Sequence, residues 1–332
     1  MKAPVEPQQL PESGAAHQQK TVLDLTNSHL KDLSTVVISS ALQTLDLTAN
    51  RLTEFDPRIL ALTGLVNINF RQNLLADASS WDTCSCKGSL EDLELRDNQL
   101  TEAPALHGFS SLRRLEISYN EIRSLAPLTN LDGSTLQELF CASNKVSEIS
   151  THVSHLTALT TLELGSNRIK AIEGVSTLTN LRELWLGKNR IAALRELGTL
   201  GLLLRVSVQS NRLDSMLGLE LCTSLQELYL SHNGISTMEG LDALTGLRVL
   251  DVSSNRITKI QGLHSLTQLE DLWLNDNQIS DLDADLFAAL QPVSGSLTTI
   301  YLENNPVAKE PDYREKIRAT LPNLTQLDAN VL

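Results

Sequence analysis

Residues 159–191 read LTTLELGSNRIKAIEGVSTLTNLRELWLGKNRI and contain one pattern twice, 22 residues apart. In each copy a leucine is followed by two variable residues, leucine, one variable residue, leucine, two variable residues and asparagine. The asparagine recurs along the chain at Asn50, Asn73, Asn98, Asn120, Asn144, Asn167, Asn189, Asn211, Asn233, Asn255, Asn277 and Asn305. Ser28 takes this place in a degenerate first copy, so the sequence predicts thirteen units.

Two hydrophobic periodicities alternate within each unit. Leu184 and Leu186 alternate with Glu183, Trp185 and Gly187, which is the spacing of a strand with two leucines pointing inward. Beyond the asparagine the spacing becomes three, which suits 3₁₀ turns better than an α-helix. Examples of the second spacing are Ile191, Leu194, Leu197, Leu200 and Leu203, and Ile257, Ile260, Leu263, Leu266 and Leu269.

This signature at a period of 20 to 29 residues is typical of a leucine-rich repeat, in which each unit buries its apolar side only against its neighbours. We therefore predict an α/β repeat fold, a leucine-rich-repeat solenoid shaped as a right-handed horseshoe. A parallel sheet lines its concave side, and 3₁₀ turns form its convex side. Because the asparagine amide both donates and accepts, we expect a stack of these side chains to satisfy buried backbone groups at each bend.

The two ends of the chain differ from the repeats. Residues 1–20 lack the pattern and have the composition of a disordered tail, without the apolar region of a signal peptide. The solenoid is predicted over residues 21–308. Residues 309–332 are predicted to form a C-terminal cap with a helix from about Asp312 to Ala319 and a short closing strand at Leu324 and Leu327, because an open end would expose apolar side chains.

Charge and cysteine usage narrow the function classes. The chain has 27 Lys and Arg against 40 Asp and Glu, a net charge of −13, so nucleic-acid phosphate should be repelled and a basic or neutral protein partner favoured. No apolar run is long enough for a membrane-spanning helix. Cys141 and Cys222 take leucine positions, while Cys84 and Cys86 lie in an irregular stretch and are only a weak signal of a metal or redox site. These features predict a reduced compartment, the cytoplasm or nucleus.

One side chain of each unit projects from between the two inward leucines onto the concave sheet. These thirteen positions are Asp24, Asp46, Asn69, Glu94, Glu116, Phe140, Glu163, Trp185, Ser207, Tyr229, Asp251, Trp273 and Tyr301. Five of the twelve aromatic residues of the chain fall here. Cross-strand packing would predict neighbouring aromatics. Interruption by Glu163, Ser207 and Asp251 favours an interface with apolar anchors and charges that fix the register.

Two further charged rows follow the repeat. The residue before the second leucine of the pattern is acidic in five units, at Asp92, Glu138, Glu183, Glu227 and Asp271, either as part of an interface or as a solvated face. A basic row follows the asparagines at Arg51, Lys145, Arg168, Arg190, Arg212 and Arg256. We expect the stems of this basic row to cover apolar surface and the charged heads to stay hydrated; binding of an acidic segment is the alternative.

The segments LELGSNRIKAIEGVSTLTNL (162–181), LQELYLSHNGI (225–235) and LDVSSNRITKI (250–260), with the C-terminal YLENNPVAKEPDYREKIRATLPNLTQLD (301–328), make the chain similar to a narrower family. It resembles the leucine-rich-repeat regulatory subunits of protein phosphatase-1, of the regulatory subunit 7 type. The resemblance covers residues 110–332 well and the first repeats loosely. It implies that a concave band binds the catalytic subunit of protein phosphatase-1, and that a further phosphatase inhibitor subunit joins the complex. The resemblance places this band at Glu116, Phe140, Glu163, Trp185, Asp251, Asp271, Trp273 and Tyr301. Tyr229, which lies in the same concave row, completes the nine residues of the predicted concave band.

The function expected from this resemblance is that of a non-catalytic subunit that controls the activity, maturation or location of the phosphatase. The chain should be a monomer when unbound and should need no cofactor. Another cytosolic or ciliary leucine-rich-repeat scaffold with a different protein partner on the same face is the alternative. An enzyme is not expected, because the seven histidines, including His152 and His155, show no repeated relation to a nucleophile, and Asp283 and Asp285 are too few for a metal cage.

Overall fold

The structure is a computed structural model that describes residues 21–332. The predicted disordered tail, residues 1–20, lies outside the described residues.

Thirteen three-residue strands form one parallel sheet, and each strand pairs with its neighbours in chain order. Each contains the second leucine of the repeat, or its equivalent, flanked by the two residues that alternate with it. The strands are β1 Val22–Asp24, β2 Thr44–Asp46, β3 Asn67–Asn69, β4 Asp92–Glu94, β5 Arg114–Glu116, β6 Glu138–Phe140, β7 Thr161–Glu163, β8 Glu183–Trp185, β9 Arg205–Ser207, β10 Glu227–Tyr229, β11 Val249–Asp251, β12 Asp271–Trp273 and β13 Thr299–Tyr301.

The return segments close the solenoid with turns. Leu200 and Leu203 each donate a backbone hydrogen bond to the carbonyl three residues earlier, the bond of a 3₁₀ turn, and the apolar residues spaced by three are buried. Complete 3₁₀ helices span Ser79–Thr83, Ala126–Asn130, Ser150–His152, Gln291–Val293 and Pro306–Lys309. The convex side also carries two short α-helices, α1 (Pro57–Leu60) and α2 (Ala284–Leu290). The predicted turn-rich convex side is confirmed.

The asparagine ladder links each unit to the preceding one. The Asn255 amide nitrogen donates to the Leu230 carbonyl at 3.0 Å and to the Val252 carbonyl at 3.0 Å, and its oxygen accepts from the Ile235 N–H at 3.0 Å. Equivalent bonds recur from Asn50 to Asn305. Each side chain therefore satisfies backbone groups of two units, as the amide chemistry predicts.

Aromatic packing fills the irregular third and fourth units. Trp81 is fully buried in the 3₁₀ helix Ser79–Thr83, with its ring centroid 5.5 Å from that of Phe55, 6.5 Å from Phe70 and 6.2 Å from Phe109. The extra residues of this stretch therefore supply core volume on the return side. Trp81 belongs to the scaffold and lies away from the concave face.

The C-terminal segment covers the last unit with helix α3 (Tyr313–Thr320) and strand β14 (Gln326–Leu327), which adds in parallel to β13. The Asp328 carboxylate accepts the Leu302 and Glu303 N–H groups at 2.8 and 2.9 Å. It also accepts the hydroxyl of buried Tyr313 at 3.3 Å, and burial raises the pKa of that tyrosine. Strand β15 (Asn330–Val331), which the sequence did not predict, pairs antiparallel with β14 and ends the sheet. Pairing with β14 thus satisfies backbone N–H and C=O groups at the edge of β13 that would otherwise be open.

Candidate functional site on the concave sheet

The thirteen positions between the inward leucines form one continuous row. Each is the third residue of its strand, and the register pairs them in order from Asp24 with Asp46 through to Trp273 with Tyr301. Side chains on one face of adjacent strands lie close enough to contact each other. The period-two reading of the sequence therefore placed the candidate side chains on one surface.

Four aromatic rings of this row, Trp185, Tyr229, Trp273 and Tyr301, form a continuous series of ring contacts that we call the ring ladder. The Trp185 and Tyr229 centroids are 6.4 Å apart with planes inclined by 23°, the Tyr229 and Trp273 centroids are 6.5 Å apart, and the Trp273 and Tyr301 centroids are 6.1 Å apart. These separations lie within the range of favourable ring contacts. All four rings are partly exposed on the concave side.

Cross-strand packing does not require neighbouring aromatics, so the sequence prediction drawn from the interruptions by Ser207 and Asp251 was wrong. Trp185 and Tyr229 lie two strands apart, about 9.6 Å for flat strands spaced by about 4.8 Å, yet their rings come within stacking distance. The intervening Ser207 is small and buried, so the rings can lean towards each other above it. Buried Asp251 occupies the same kind of position between Tyr229 and Trp273. Alternation therefore does not distinguish an interface from cross-strand packing.

The polar edges of the ring ladder have different partners. Trp185 Nε1 donates to Glu183 Oε2 at 3.2 Å, and the Tyr229 hydroxyl donates to Glu227 Oε2 at 3.0 Å. Burial, followed by the Glu227 contact, raises the pKa of Tyr229 to about 12. Trp273 Nε1 is buried and has no acceptor among residues 21–332. The acidic row thus fixes the rings of β8 and β10 in orientation.

Several acids of the row between the inward leucines accept hydrogen bonds from the backbone just after their strand. The Glu116 carboxylate accepts the Ser118 N–H at 2.8 Å, and the Asp251 carboxylate accepts the Ser253 N–H at 3.0 Å and the Ser253 hydroxyl at 2.7 Å. Asp46 and Glu94 accept the N–H two residues further on in the same way. Glu116 and Asp251 are each only 5% exposed. Their contribution to a contact surface is consequently small, and their first role is to satisfy the backbone.

An arginine that the sequence reading left out organises the acids at β4–β6. Arg114 lies in the row before the second leucine, which was read only for its acids. It forms ion pairs with four carboxylates, at 3.0 Å to Asp92, 3.1 Å to Glu94, 3.6 Å to Glu116 and 3.7 Å to Glu138. Its guanidinium carbon also lies 5.2 Å from the Phe140 ring centroid. Arg114 therefore joins three strands and one aromatic anchor through a single cation.

Arg205 plays a smaller version of this role between β8 and β10. Its guanidinium pairs with Glu183 Oε1 at 2.5 Å and with Glu227 Oε1 at 3.0 Å. These are the two acids that hold the ring edges of Trp185 and Tyr229. The signal for both arginines was present in the sequence, since each takes the same repeat position as the acids.

Two concave carboxyl groups have raised pKa values. For Glu94 and Glu163, burial is the largest cause and the charge of Glu116 the second, with Arg114 opposing the shift of Glu94 and Arg96 that of Glu163. Burial disfavours the charged form of a carboxyl group, and a neighbouring carboxylate disfavours it further. Both carboxyl groups therefore keep their protons to a higher pH than an ordinary glutamate.

A concave cavity of about 570 Å³ lies beside the ring ladder. It is bounded by Trp273 and Tyr301 and by polar side chains of β8–β13 and their following turns, namely Lys188, Gln209, Ser210, Ser231, His232, Asp251, Ser253, Asn275 and Glu303. The ring ladder thus faces an open, mixed-polarity depression that can accept a protruding part of a protein partner.

The basic row beyond the asparagines lies at the edge of the solenoid. Lys145 forms an ion pair with Glu121. The other five, Arg51, Arg168, Arg190, Arg212 and Arg256, are exposed and have no ion pair within the described part of the chain. Their exposure leaves the charged heads open to water, and coverage of apolar surface by their stems stays a prediction.

Comparison with known proteins identifies the fold as a leucine-rich repeat. A family model for leucine-rich repeats (two copies) matches residues 157–220, 223–255 and 245–287, and a second leucine-rich-repeat model matches residues 110–169. The chain belongs to the leucine-rich-repeat proteins. Internalin F of Listeria monocytogenes superimposes with a TM-score of 0.81 at 24% identity, over 94% of this chain and 87% of the internalin. A Leptospira interrogans leucine-rich-repeat protein superimposes with a TM-score of 0.70 at 25% identity, over 86% and 78% of the two chains.

Similarity to individual curated proteins covers a smaller part of the chain. The chain is 48% identical over 159 residues to an Arabidopsis thaliana protein named protein phosphatase 1 regulatory inhibitor subunit PPP1R7 homolog, over 46% of this chain and 47% of that protein. It is 53% identical over 34 residues, 10% of this chain, to human protein phosphatase 1 regulatory subunit 7. The matches thus span about half the length of the Arabidopsis protein and 9% of the human one. The resemblance to this family is confirmed, and both relatives are named as regulatory subunits, in keeping with the expectation of a non-enzyme.

The described structure also bears on other classes of site. No helix within residues 21–332 is long and apolar enough to cross a membrane. In the same part of the chain, no three His, Cys, Asp or Glu side chains are grouped as a metal site requires.

Proposed function

We propose that this chain is a non-catalytic regulatory subunit that binds the catalytic subunit of protein phosphatase-1 through its concave face and controls the activity, maturation or location of that enzyme. Two relatives with the names given above support the choice of enzyme. The ring ladder supports the choice of face.

The ring ladder is the observation that carries the proposal. Leucine, isoleucine and valine make up most of the interior of the solenoid, and none of the four ladder rings is fully buried in it. Instead four large rings stand partly exposed on a sheet whose other side chains are mostly polar. Large aromatic side chains with polar edges are enriched at protein interfaces, where they act as anchors with little loss of side-chain entropy. The ladder therefore fits a preformed contact surface.

Shape and charge agree with a globular partner. Thirteen strands spaced by about 4.8 Å give a concave surface about 60 Å long. A surface of this length can bury more than the roughly 800 Å² per partner of a standard interface. The net charge of −13 and the acids around Arg114 favour a partner with a basic face and speed its encounter. Regular hydrogen bonding holds the strands in place before binding, which limits the entropy cost.

The remaining expectations belong to the same proposal. The nine residues of the predicted concave band stay a prediction, with the ladder rings, Phe140, Glu163 and Asp271 as the partly exposed members. A further phosphatase inhibitor subunit, a monomeric unbound state, and a location in cytoplasm and nucleus also stay predictions.

Capture of the purified catalytic subunit by ladder variants tests the proposal. We expect Trp185→Ala and Trp273→Ala each to weaken capture by about 2 kcal/mol or more, roughly 30-fold in Kd, because they remove central aromatic anchors. Leu221→Ala, which alters an exposed apolar residue of a return segment, is the matched control and should bind normally. Circular dichroism would verify that the solenoid is retained.

Two results would overturn parts of the proposal. Capture of the phosphatase by the Trp185→Ala/Trp273→Ala double variant with unchanged affinity would move the interface away from the ladder. A wild-type chain that binds no catalytic subunit, but captures another protein in a ladder-dependent manner, would favour the alternative scaffold.

A further inference from the structure

Cys84 and Cys86 bring two thiols together on the return side of the solenoid. Their Sγ atoms are 2.7 Å apart, and the Cys86 N–H also points to Cys84 Sγ at 3.5 Å. Cys141 and Cys222, the other two thiols, are each buried at a leucine position, where the contacts are to Asn144 and to the Leu197 carbonyl. Only the Cys84 and Cys86 thiols therefore face a second thiol.

The surroundings activate one thiol of the pair. The hydrogen bond from the Cys86 thiol is the largest cause that lowers the pKa of Cys84 to about 7, and the nearby Lys87 ammonium contributes. The same contact raises the pKa of Cys86. By contrast, burial raises the pKa of Cys222 to about 11 and also raises that of Cys141. Since the thiolate is the nucleophile, Cys84 should react first.

The pair lies close to solvent although both thiols are buried. Ser85, between the two cysteines, is exposed, and Gly88, two residues beyond Cys86, is exposed as well. The segment follows the 3₁₀ helix Ser79–Thr83 and is held by a Ser85 N–H bond to the Leu60 carbonyl at 2.7 Å. A small oxidant needs to pass only a surface turn to reach Cys84.

We propose that Cys84 and Cys86 form a redox-active dithiol that hydroperoxides convert to an intramolecular disulfide. The Sγ atoms have to approach from 2.7 Å to the about 2.05 Å of a disulfide bond. The site lies on the opposite side of the scaffold from the concave sheet and does not depend on the proposed phosphatase function.

The reaction balances with one peroxide. The Cys84 thiolate attacks a peroxide oxygen, the O–O bond breaks, and the leaving hydroxide takes up a proton to give water while Cys84 becomes a sulfenic acid. Cys86 sulfur then attacks Cys84 sulfur, the S–O bond breaks, and a second water leaves with the Cys86 proton. Two thiols lose two electrons and two protons, and one hydrogen peroxide becomes two waters.

The test uses the full chain with Cys141→Ala and Cys222→Ala, so that only the pair remains. After treatment with hydrogen peroxide, the protein is denatured and alkylated with N-ethylmaleimide, and its mass is measured by mass spectrometry. We expect a monomer lighter by two hydrogen atoms that takes up no N-ethylmaleimide until dithiothreitol is added. The Cys84 and Cys86 thiols should be lost at least about 10-fold faster than the Cys222 thiol, which is measured in a separate chain that carries Cys84→Ser and Cys86→Ser.

Single variants and the unaltered chain complete the test. Cys84→Ser and Cys86→Ser on the same background should each abolish the monomeric product that lacks two hydrogens. Peptide mapping of the unaltered chain gives the same answer if the background variant folds poorly, because it assigns the thiols individually. Two thiols that stay alkylatable, or a disulfide found only between two chains, would overturn the proposal.

Discussion

Two stretches of the concave sheet use one scaffold for different surfaces. The acidic segment, strands β4–β7, presents carboxylates around Arg114 with the single ring of Phe140. The ring segment, strands β8–β13, presents the ring ladder, with Arg205 holding the acids at its edge. Strand length, register and asparagine bonding are the same in both.

The difference shows that inward residues of the repeat determine the scaffold, whereas outward residues determine the character of the surface. Inward leucines and the asparagine ladder fix the position of every strand, so the two outward positions can differ from unit to unit while the strand positions stay the same. In the acidic segment those positions carry charge, which steers a partner and is weakened by salt. In the ring segment they carry apolar area, which supplies contact energy at short range. We therefore expect the ring segment to dominate affinity and the acidic segment to dominate the rate and salt dependence of association.

The scaffold should be equally sensitive to loss of the asparagine in both segments. Asn144 and Asn255 are each 8% exposed and make matching bonds to the preceding unit. Replacement of either by alanine leaves buried backbone groups without partners, and we expect a loss of about 1–3 kcal/mol of unfolding free energy in each case. Urea unfolding of the two variants measures this. A large effect in one segment only would refute the view that they share one scaffold.

The two arginines should differ in their contribution to stability. The Arg114 side chain is 30% exposed and pairs with four carboxylates, including buried Glu116, whereas that of Arg205 is 40% exposed and pairs with two that are themselves partly exposed. We expect Arg114→Met to cost about 1–2 kcal/mol of unfolding free energy and Arg205→Met less than about 1 kcal/mol. Urea unfolding at low and high salt compares them. Equal costs would mean that the carboxylates at Arg114 remain well hydrated.

Stability should respond to pH through the acidic segment. Glu94 and Glu163 have raised pKa values in the folded chain, so the unfolded chain loses their protons first as pH rises. Their effect therefore destabilises the fold above the ordinary glutamate pKa of about 4.5, increasingly so until the folded values are passed. Between pH 7 and pH 5, the gain in unfolding free energy on acidification should be smaller in Glu94→Gln/Glu163→Gln than in the unaltered chain. An identical pH dependence would show that these carboxyl groups are fully hydrated.

Much of this arrangement follows from the sequence, because its causes are local. The two inward leucines predict the strands and hence the row from Asp24 to Tyr301, and the altered C-terminal pattern predicts α3 and β14. Contacts across several strands were harder to predict. Stacking of Trp185 on Tyr229 depends on the length of the two side chains and on the small Ser207 between them. Burial of Glu116 and Asp251 depends on N–H groups that a turn exposes two residues further on.

The repeat pattern did not predict the packing of the irregular segment, and the role of the two arginines was missed. Residues 74–90 depart from the regular spacing, and Trp81 there packs on Phe70 of its own unit and on Phe55 and Phe109 of the two neighbouring units, contacts that spacing does not encode. Arg114 and Arg205 were passed over because only the five acidic positions of that row were considered. Their positions were nonetheless the same as those of the acids they join.

The three tryptophans of the chain provide the most direct test of the central claim, that the ring ladder forms the partner contact. With 5-fluorotryptophan incorporated, Trp81 reports on the buried core and Trp185 and Trp273 on the ladder, and the Trp→Phe variants assign the three ¹⁹F signals. On addition of unlabelled phosphatase-1 catalytic subunit, the account predicts that the Trp185 and Trp273 signals shift while that of Trp81 stays in place. Binding that leaves the Trp185 and Trp273 signals unmoved would contradict it.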